Sequence, residues 1–250
     1  MKISKLICMG IFGCLVNLIT ACGSGSHDGK TQSYAQRPIP IIFGFAGNNS
    51  CNSDAGELGF DGIYGQILDL QRRLVEEGHA EVEYFVTCYT NGANKISYLN
   101  SWEQRPKLLQ EESVVREKVF EKLRSLHHAK SLMVGHSYGG WLAMSLAKSL
   151  SAEEELGYFY TLDPISKKNC NFSDLDGCNE APRDILPEMR EHIAVSTDEW
   201  NNYYQDNTWF LHSSAISHAS SNVKLADADH FDIDEHGAIW QDIYEKTQSF

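Results

Sequence analysis

The sequence predicts a three-layer α/β fold, in which a mostly parallel sheet lies between two layers of helices. Short apolar runs, typical of buried parallel strands, alternate along the chain with segments whose apolar residues recur at helical spacing. The pentapeptide Gly135-His136-Ser137-Tyr138-Gly139 stands between an apolar run and a helix-forming run. That context indicates a tight strand-to-helix turn at the end of the sheet.

The apolar runs place the strands. The first run is bounded by Pro38 and Gly44, as expected for a buried parallel strand. Strands are predicted, in chain order, at 39–43, 81–87, 131–134, 157–162, 191–196 and 222–226.

The helices follow from apolar residues spaced three and four positions apart. A loop containing Trp102 and Pro106 is predicted before the second helix. Helices are predicted at 63–74, 108–126, 141–147 and 238–246.

The first residues form a pattern that predicts export, so we do not expect them to be part of the folded domain. Lys2 and Lys5 precede an apolar stretch at 6–19 that is short for a bilayer span, and small residues then lead to Cys22. This pattern resembles a bacterial lipoprotein signal, with an ordinary secretory signal as the alternative. The resemblance implies a signal peptide at 1–21, a lipid on Cys22, and a location in the bacterial cell envelope. In a Gram-negative cell we expect the outer membrane.

The composition and net charge of the rest of the chain indicate its domain organisation and the partners that it is not expected to bind. Residues 22–36 are rich in glycine and serine and predict a flexible tether, which leaves 37–250 as one domain. The net charge of -13 argues against nucleic acid as a partner and against electrostatic docking on anionic lipid. We expect a monomer that contacts the membrane only through the anchor.

The cysteines predict two disulfides. Of seven cysteines, Cys8 and Cys14 leave with the signal and Cys22 carries lipid, so four remain in an oxidising compartment. Four cysteines allow three pairings. We favour neighbours along the chain, Cys51 with Cys88 and Cys170 with Cys178.

Three reactive side chains follow predicted strands. Ser137 lies in the tight turn, Asp163 follows the strand at 157–162, and His230 follows the last strand. Because the carboxyl ends of parallel strands lie at one edge of a sheet, we expect these side chains to meet there. A histidine can then accept the serine proton, while an aspartate orients the histidine.

From about Ile39 onward the chain resembles α/β-hydrolases of the lipase/esterase type. The resemblance rests on Gly-x-Ser-x-Gly between a strand and a helix, and on the order Ser137, Asp163, His230. Leu162-Asp163-Pro164 is similar to the acid position of pancreatic-type lipases, one strand earlier than in most relatives. The usual first antiparallel strands are missing before residue 39, which implies a small version of the fold.

Other acids and histidines compete for these roles. Asp198 follows the strand predicted at 191–196, where most α/β-hydrolases carry the acid, although it can also cap a helix starting at Glu199. His236 is the rival base, but it lies further from the last strand than His230 does. The three remaining candidates are assigned to packing or to the polar surface: His136, His212 and His218.

The resemblance also implies an oxyanion hole made of two backbone N–H groups. One belongs to Tyr138, after the serine, and the other to Phe45 in the loop after the first strand, with Ala46 as second choice. Phe43 stands where many relatives have histidine. Phe45, Tyr138 and Trp102 are candidates for an apolar wall around the acyl group, or for core packing.

No cofactor or metal is expected. The acidic run at 227–232 lacks the glycine of a calcium loop, and there is no paired-histidine zinc motif. The segment 164–190 is either a lid or a long surface connection.

The sequence therefore predicts a serine hydrolase that cleaves small-molecule or lipid esters through an acyl-enzyme on Ser137. The alternatives are a thioesterase, an amidase or peptidase with the same triad, or a non-catalytic binding lipoprotein on this scaffold.

Overall fold

An eight-stranded, mostly parallel sheet forms the centre of the chain in its computed structural model. The structure describes residues 40–48, 62–79, 82–90, 93–97, 108–109, 112–125, 131–166, 168–170 and 177–250. All of them belong to one compact unit, Gln36–Phe250; the other unit, Met1–Ala35, lies outside the described residues. The predicted signal peptide and Cys22 are therefore not described.

The strands are β1 (Ile41–Asn48), β2 (Glu83–Thr90), β3 (Ala93–Ser97), β4 (Leu108–Leu109), β5 (Ser131–His136), β6 (Leu156–Leu162), β7 (Thr197–Tyr204) and β8 (Ser221–Lys224). The helices are α1 (Gly62–Glu76), α2 (Glu112–Ser125), α3 (Tyr138–Ala147), α4 (Pro187–Val195) and α5 (Gly237–Thr247), with a short 3₁₀ turn at Ile233–Glu235.

The strand order is β4-β3-β2-β1-β5-β6-β7-β8. The six strands from β2 to β8 in this order are parallel, and β3 and β4 add an antiparallel edge. Phe45 in β1 pairs with Gly135 in β5, and Leu162 in β6 pairs with Tyr203 in β7. This register brings the carboxyl ends of β5, β6 and β7 together at one edge of the sheet. The sheet is thus the mostly parallel one that the sequence predicted.

Helices cover both faces of the sheet, so its central strands are buried on both sides, as parallel sheets require. Apolar residues of α1 and α5 pack on one face, and those of α2, α3 and α4 pack on the other. Helix α3 is apolar all round, and every one of its residues is buried. It therefore holds the residues before and after Ser137 in a fixed, densely packed setting.

The prediction was wrong between 187 and 204. Residues 187–195 form helix α4, with Pro187 in its first turn. The strand predicted at 191–196 is therefore not present. The strand in this region is β7, which begins at Thr197 and has a polar sequence without an apolar pattern. Asn201 and Asn202 are nevertheless buried there, because other side chains and a backbone carbonyl satisfy their amides.

The edge of the sheet beyond β2 also differs from the prediction. Residues 93–97 and 108–109 form β3 and β4, where a loop and the start of a long helix were expected. These antiparallel strands follow β2 in the chain, whereas the antiparallel strands of larger relatives were expected to precede the first parallel strand.

Within the described ranges, no helix is both long enough and apolar enough to cross a membrane.

Candidate active site

Ser137 lies in a strained turn between β5 and α3. Its backbone has φ 55° and ψ -126°, a conformation that L-residues rarely adopt. The turn is held on both sides: the Ser137 N–H donates to the Leu162 carbonyl at 3.0 Å, and the Ser137 carbonyl accepts the N–H of Ile165 at 3.0 Å. Strain of this kind persists only where the surrounding structure enforces it, and it is typical of functional sites.

The glycines of the motif allow the strand, the turn and the helix to approach closely. A Cβ on Gly135 would lie 2.6 Å from the carbonyl oxygen of Gly139, and a Cβ on Gly139 would overlap the Phe45 carbonyl of β1. Any larger residue at either position must therefore push α3 away from the sheet. The spacing Gly-x-Ser-x-Gly is thus a packing requirement of this turn.

The three predicted triad residues are in hydrogen-bond contact. The Ser137 hydroxyl lies 2.8 Å from His230 Nε2, and His230 Nδ1 lies 2.7 Å from Asp163 Oδ2. Because a carboxylate only accepts hydrogen bonds, Nδ1 carries the proton and Nε2 is left to accept the serine proton. Asp163 is fully buried and His230 is 3 % exposed, so water does not screen the contact between them.

Asp163 receives further donors besides His230. The Ser213 N–H donates to Oδ1 at 2.6 Å, and the Gln205 side-chain amide donates to Oδ2 at 2.7 Å. The arrangement therefore fixes the direction in which the oxygens of Asp163 point.

Gln205 is a site residue that the sequence analysis missed. It directly follows β7, beside Asp163, and its side-chain oxygen accepts the Thr208 N–H at 2.8 Å. Its amide nitrogen also donates to the Leu211 carbonyl at 3.0 Å, so the amide cannot flip without losing all three bonds. Gln205 can be recognised as a site residue only when the position of β7 is known. The polar sequence of β7 has no apolar pattern from which that position could be predicted.

Main-chain bonds orient His230 as well. Its N–H donates to Thr208 Oγ1 at 3.1 Å, and its carbonyl oxygen lies 2.8 Å from His136 Nε2. Burial lowers the pKa of His230; the hydrogen bond with Asp163 opposes that shift, and the charge of His136 adds to it. His230 is therefore held neutral and ready to accept a proton.

The rival acid and base lie elsewhere. Asp198 is exposed near the start of β7, at the opposite end of the strand from Asp163, and it caps no helix. The expectation that it follows a strand was wrong because β7 begins at Thr197. His236 lies 3.3 Å from Asp227 and precedes α5. His212 donates to the Ser213 carbonyl at 2.9 Å, and His218 is exposed.

The predicted oxyanion donors flank the turn. Tyr138 is the first residue of α3, and Phe45 lies near the end of β1, with a fully buried side chain in the core. Gly47 also lies beside the serine: a Cβ there would be 3.1 Å from Ser137 Cβ. The carboxyl end of β1 thus runs directly beside the serine. The rings of Tyr138 and Trp141 stack at 5.3 Å, and Trp102 lies outside the described residues.

One predicted disulfide is present. Cys170 and Cys178 are bonded, and buried Cys178 packs with Ile165 and Leu211 behind the triad. Cys51 lies outside the described residues, so its bond to Cys88 stays a prediction.

The described end of the segment 164–190 is anchored to α3. Asp184 accepts the Trp141 indole N–H at 2.8 Å and the Ser166 hydroxyl at 2.6 Å. Ile185 is fully buried in the same core as α3. This part of the segment is therefore a packed connection over the helix that follows Ser137.

Among the described residues, no group of three or more histidine, cysteine, aspartate or glutamate side chains is arranged to hold a metal ion.

Comparisons with known proteins give resemblance at the level of the fold. No protein-family model and no curated protein sequence matches the chain. Among solved structures, it is similar to the ydeN gene product from B. subtilis, with a TM-score of 0.47 and 11% identity over 84% of this chain and 99% of that one. It is similar to the lin2722 gene product from Listeria innocua, with a TM-score of 0.46 and 15% identity over 85% and 94%. A third is the type II thioesterase BorB from the borrelidin biosynthetic cluster, with a TM-score of 0.42 and 14% identity over 83% and 92%.

Proposed function

We propose that the chain is a serine hydrolase that cleaves carboxylic esters through an acyl-enzyme on Ser137. The observation that carries the proposal is the hydrogen-bonded series from Ser137 through His230 to buried Asp163. A serine hydroxyl is a weak nucleophile, and a neutral histidine at 2.8 Å is the group that activates it.

In the acylation step, Ser137 Oγ attacks the ester carbonyl carbon while His230 Nε2 takes the hydroxyl proton. The carbonyl oxygen becomes an oxyanion, and Asp163 stabilises the imidazolium that forms. His230 then gives its proton to the leaving alcohol oxygen as the carbon–oxygen bond breaks, which leaves the acyl group on Ser137. Water attacks the acyl-enzyme in the same way, with His230 again as base, and releases the carboxylic acid.

The oxyanion forms at the N-terminus of α3. The helix dipole favours negative charge at that end, and the Tyr138 N–H is its first backbone donor. We assign the second donor to the end of β1, where Phe45 was expected and Gly47 approaches Ser137.

Exposed aromatic side chains beside the triad support an apolar acyl group as substrate. Phe231 follows His230, and its exposed ring packs edge-on against the histidine ring at 5.6 Å. Trp209 follows Thr208, which binds the His230 main chain, and it is exposed as well. Large exposed aromatics on two loops of one site provide apolar surface for a ligand to bury.

Labelling by a fluorophosphonate probe tests the nucleophile. We expect one covalent adduct on the peptide that contains Ser137 and none in the Ser137→Ala variant. Ser145→Ala is a matched control, because Ser145 is a buried serine of α3, the helix that follows Ser137, and its hydroxyl has no hydrogen-bond partner in the described structure. A folded protein that never reacts would instead favour a binding protein on this scaffold.

A panel of esters of varied chain length, with matched thioesters and anilides, tests the substrate class. We expect the highest kcat/KM for an ester. Faster turnover of a thioester or an anilide would instead indicate a thioesterase or an amidase. The proposed role of Ser137 would be unchanged.

We also propose that the chain is held at the cell envelope by lipid on Cys22. A buried acyl chain contributes about 0.8 kcal/mol per CH₂ to membrane binding. Cys22→Ala is therefore expected to move the protein from the membrane fraction to the soluble fraction while esterase activity is kept. Cys14→Ala, inside the predicted signal peptide, is the matched control and should stay with membranes. A Cys22→Ala protein that still sediments with membranes would contradict the anchor.

A further inference from the structure

A second buried histidine–carboxylate pair lies beside the triad. His136, the residue before Ser137, has Nδ1 3.2 Å from Asp234 Oδ2 and Nε2 2.8 Å from the carbonyl oxygen of His230. Both side chains are buried. The His136 ring centre lies 5.0 Å from that of His230. From the sequence, His136 was expected to be a packing residue, and no role was predicted for Asp234.

Both neighbours of the His136 ring are acceptors. A carbonyl oxygen only accepts, so Nε2 must carry a hydrogen; a carboxylate also only accepts, so Nδ1 must carry one too. A neutral imidazole has a single N–H. When Asp234 is ionised, the two contacts are therefore satisfied together only by an imidazolium at His136.

The surroundings of Asp234 favour its negative charge. A Cβ on Gly62 would lie 2.7 Å from Asp234 Oδ2, which places the carboxylate against the first residue of α1. The positive end of a helix dipole stabilises an anion at that position. Burial disfavours the charged form of His136, but Asp234, together with Asp163 and the His230 carbonyl, outweighs burial and raises the pKa of His136, while the pKa of Asp234 is lowered.

We propose that His136 and Asp234 form a charged positioning pair for His230. His136 remains an imidazolium, holds the His230 main chain through its carbonyl oxygen, and disfavours a second positive charge on His230 before reaction. His230 then stays a usable base at lower pH than an isolated histidine. This inference rests on the proposed function only for its effect on turnover; the charge of His136 is a property of the resting protein.

The charged groups around His136 and His230 determine whether the pKa of His230 is lowered or raised. Asp163 and Asp234 attract a proton to His230, whereas burial and the charge of His136 oppose it. Glu235, the next carboxylate in the same turn, is exposed and accepts the Gly62 N–H at 2.6 Å. In the resting site the pair of His136 and Asp234 has no net charge, but His136 acts on His230 more strongly than Asp234 does, so its opposition to a second positive charge remains. Asp163 balances the proton that His230 gains during reaction.

Nitrogen NMR tests the charge of His136 without any substrate. In the full chain labelled with ¹⁵N in its histidine rings, we expect one ring with both nitrogens protonated at about pH 7.5, one unit above the ordinary histidine pKa. That signal should vanish in His136→Gln. A neutral His136 ring at this pH would overturn the proposal, whether or not the chain proves to be a hydrolase.

The pH profile of kcat/KM tests the effect on His230. In Asp234→Asn, neutral His136 keeps its Nε2–H bond to the His230 carbonyl and accepts the asparagine amide at Nδ1. The nearby positive charge is lost, so the pKa of His230 rises and the acid limb is expected to move to higher pH. Glu235→Gln removes a carboxylate from the same turn without touching His136, and its acid limb should stay in place. An acid limb in Asp234→Asn that is unmoved, or that moves to lower pH, would overturn the proposal.

Discussion

Ser137→Ala is expected to lower ester turnover by at least about 10⁴-fold, because the triad acts as one unit and its loss leaves only substrate binding and the oxyanion donors. The substitution removes one hydroxyl from the turn, so the hydrogen bonds of the turn's backbone remain. Steady-state kcat on the best ester of the panel measures the effect, and circular dichroism verifies the fold.

A control variant distinguishes loss of the nucleophile from a general effect of removing a buried hydroxyl. Ser145→Ala, also on the strand–turn–helix segment, should retain wild-type turnover and thereby show that loss of a buried hydroxyl is not the cause. Turnover of Ser137→Ala within tenfold of wild type would end the assignment of the nucleophile.

Asp163→Asn is expected to reduce kcat by up to about 10⁴-fold. All the described partners of the Asp163 oxygens are donors: His230 Nδ1 and the Gln205 side-chain amide at Oδ2, and the backbone N–H groups of Ser213 and Gln205 at Oδ1. An asparagine amide turned toward Oδ2 donates to His230 and forces the proton onto Nε2, which can then no longer accept the serine proton.

The other orientation of the asparagine is unfavourable as well. With its amide at the Oδ1 position it faces the Ser213 N–H, which donates there at 2.6 Å in the wild type. Either orientation sets two donors against each other, so we also expect a loss of about 1–3 kcal/mol in the free energy of unfolding. Denaturant titration beside the kinetic assay separates this loss from the change of tautomer.

Asp198→Asn is the matched control for Asp163→Asn. Asp198 is exposed near the start of β7, so kcat and unfolding should both stay near wild type. A collapse of kcat in Asp198→Asn, with normal kcat in Asp163→Asn, would contradict the assignment of the acid.

Several features of the site could be predicted because their causes are local in the chain. The Ser137 turn follows from its flanking apolar runs and from glycines that only a close approach of backbones requires. Asp163 and His230 follow recognisable apolar segments, and the parallel arrangement brings the ends of those segments together. Cys170 and Cys178 are only eight residues apart.

Other features depend on partners distant in sequence, and only the tertiary structure decided them. Strand β7 has no apolar pattern because its buried amides are satisfied by β6, β8 and the loop between β7 and β8. Its true position removes Asp198 from the site and introduces Gln205. The pairing of His136 with Asp234 joins residues almost a hundred positions apart. Sequence alone thus determined the fold class and predicted which three side chains meet in the site. The packed structure decided the charge, tautomer and orientation of each group, because these depend on which donors and acceptors surround a buried side chain.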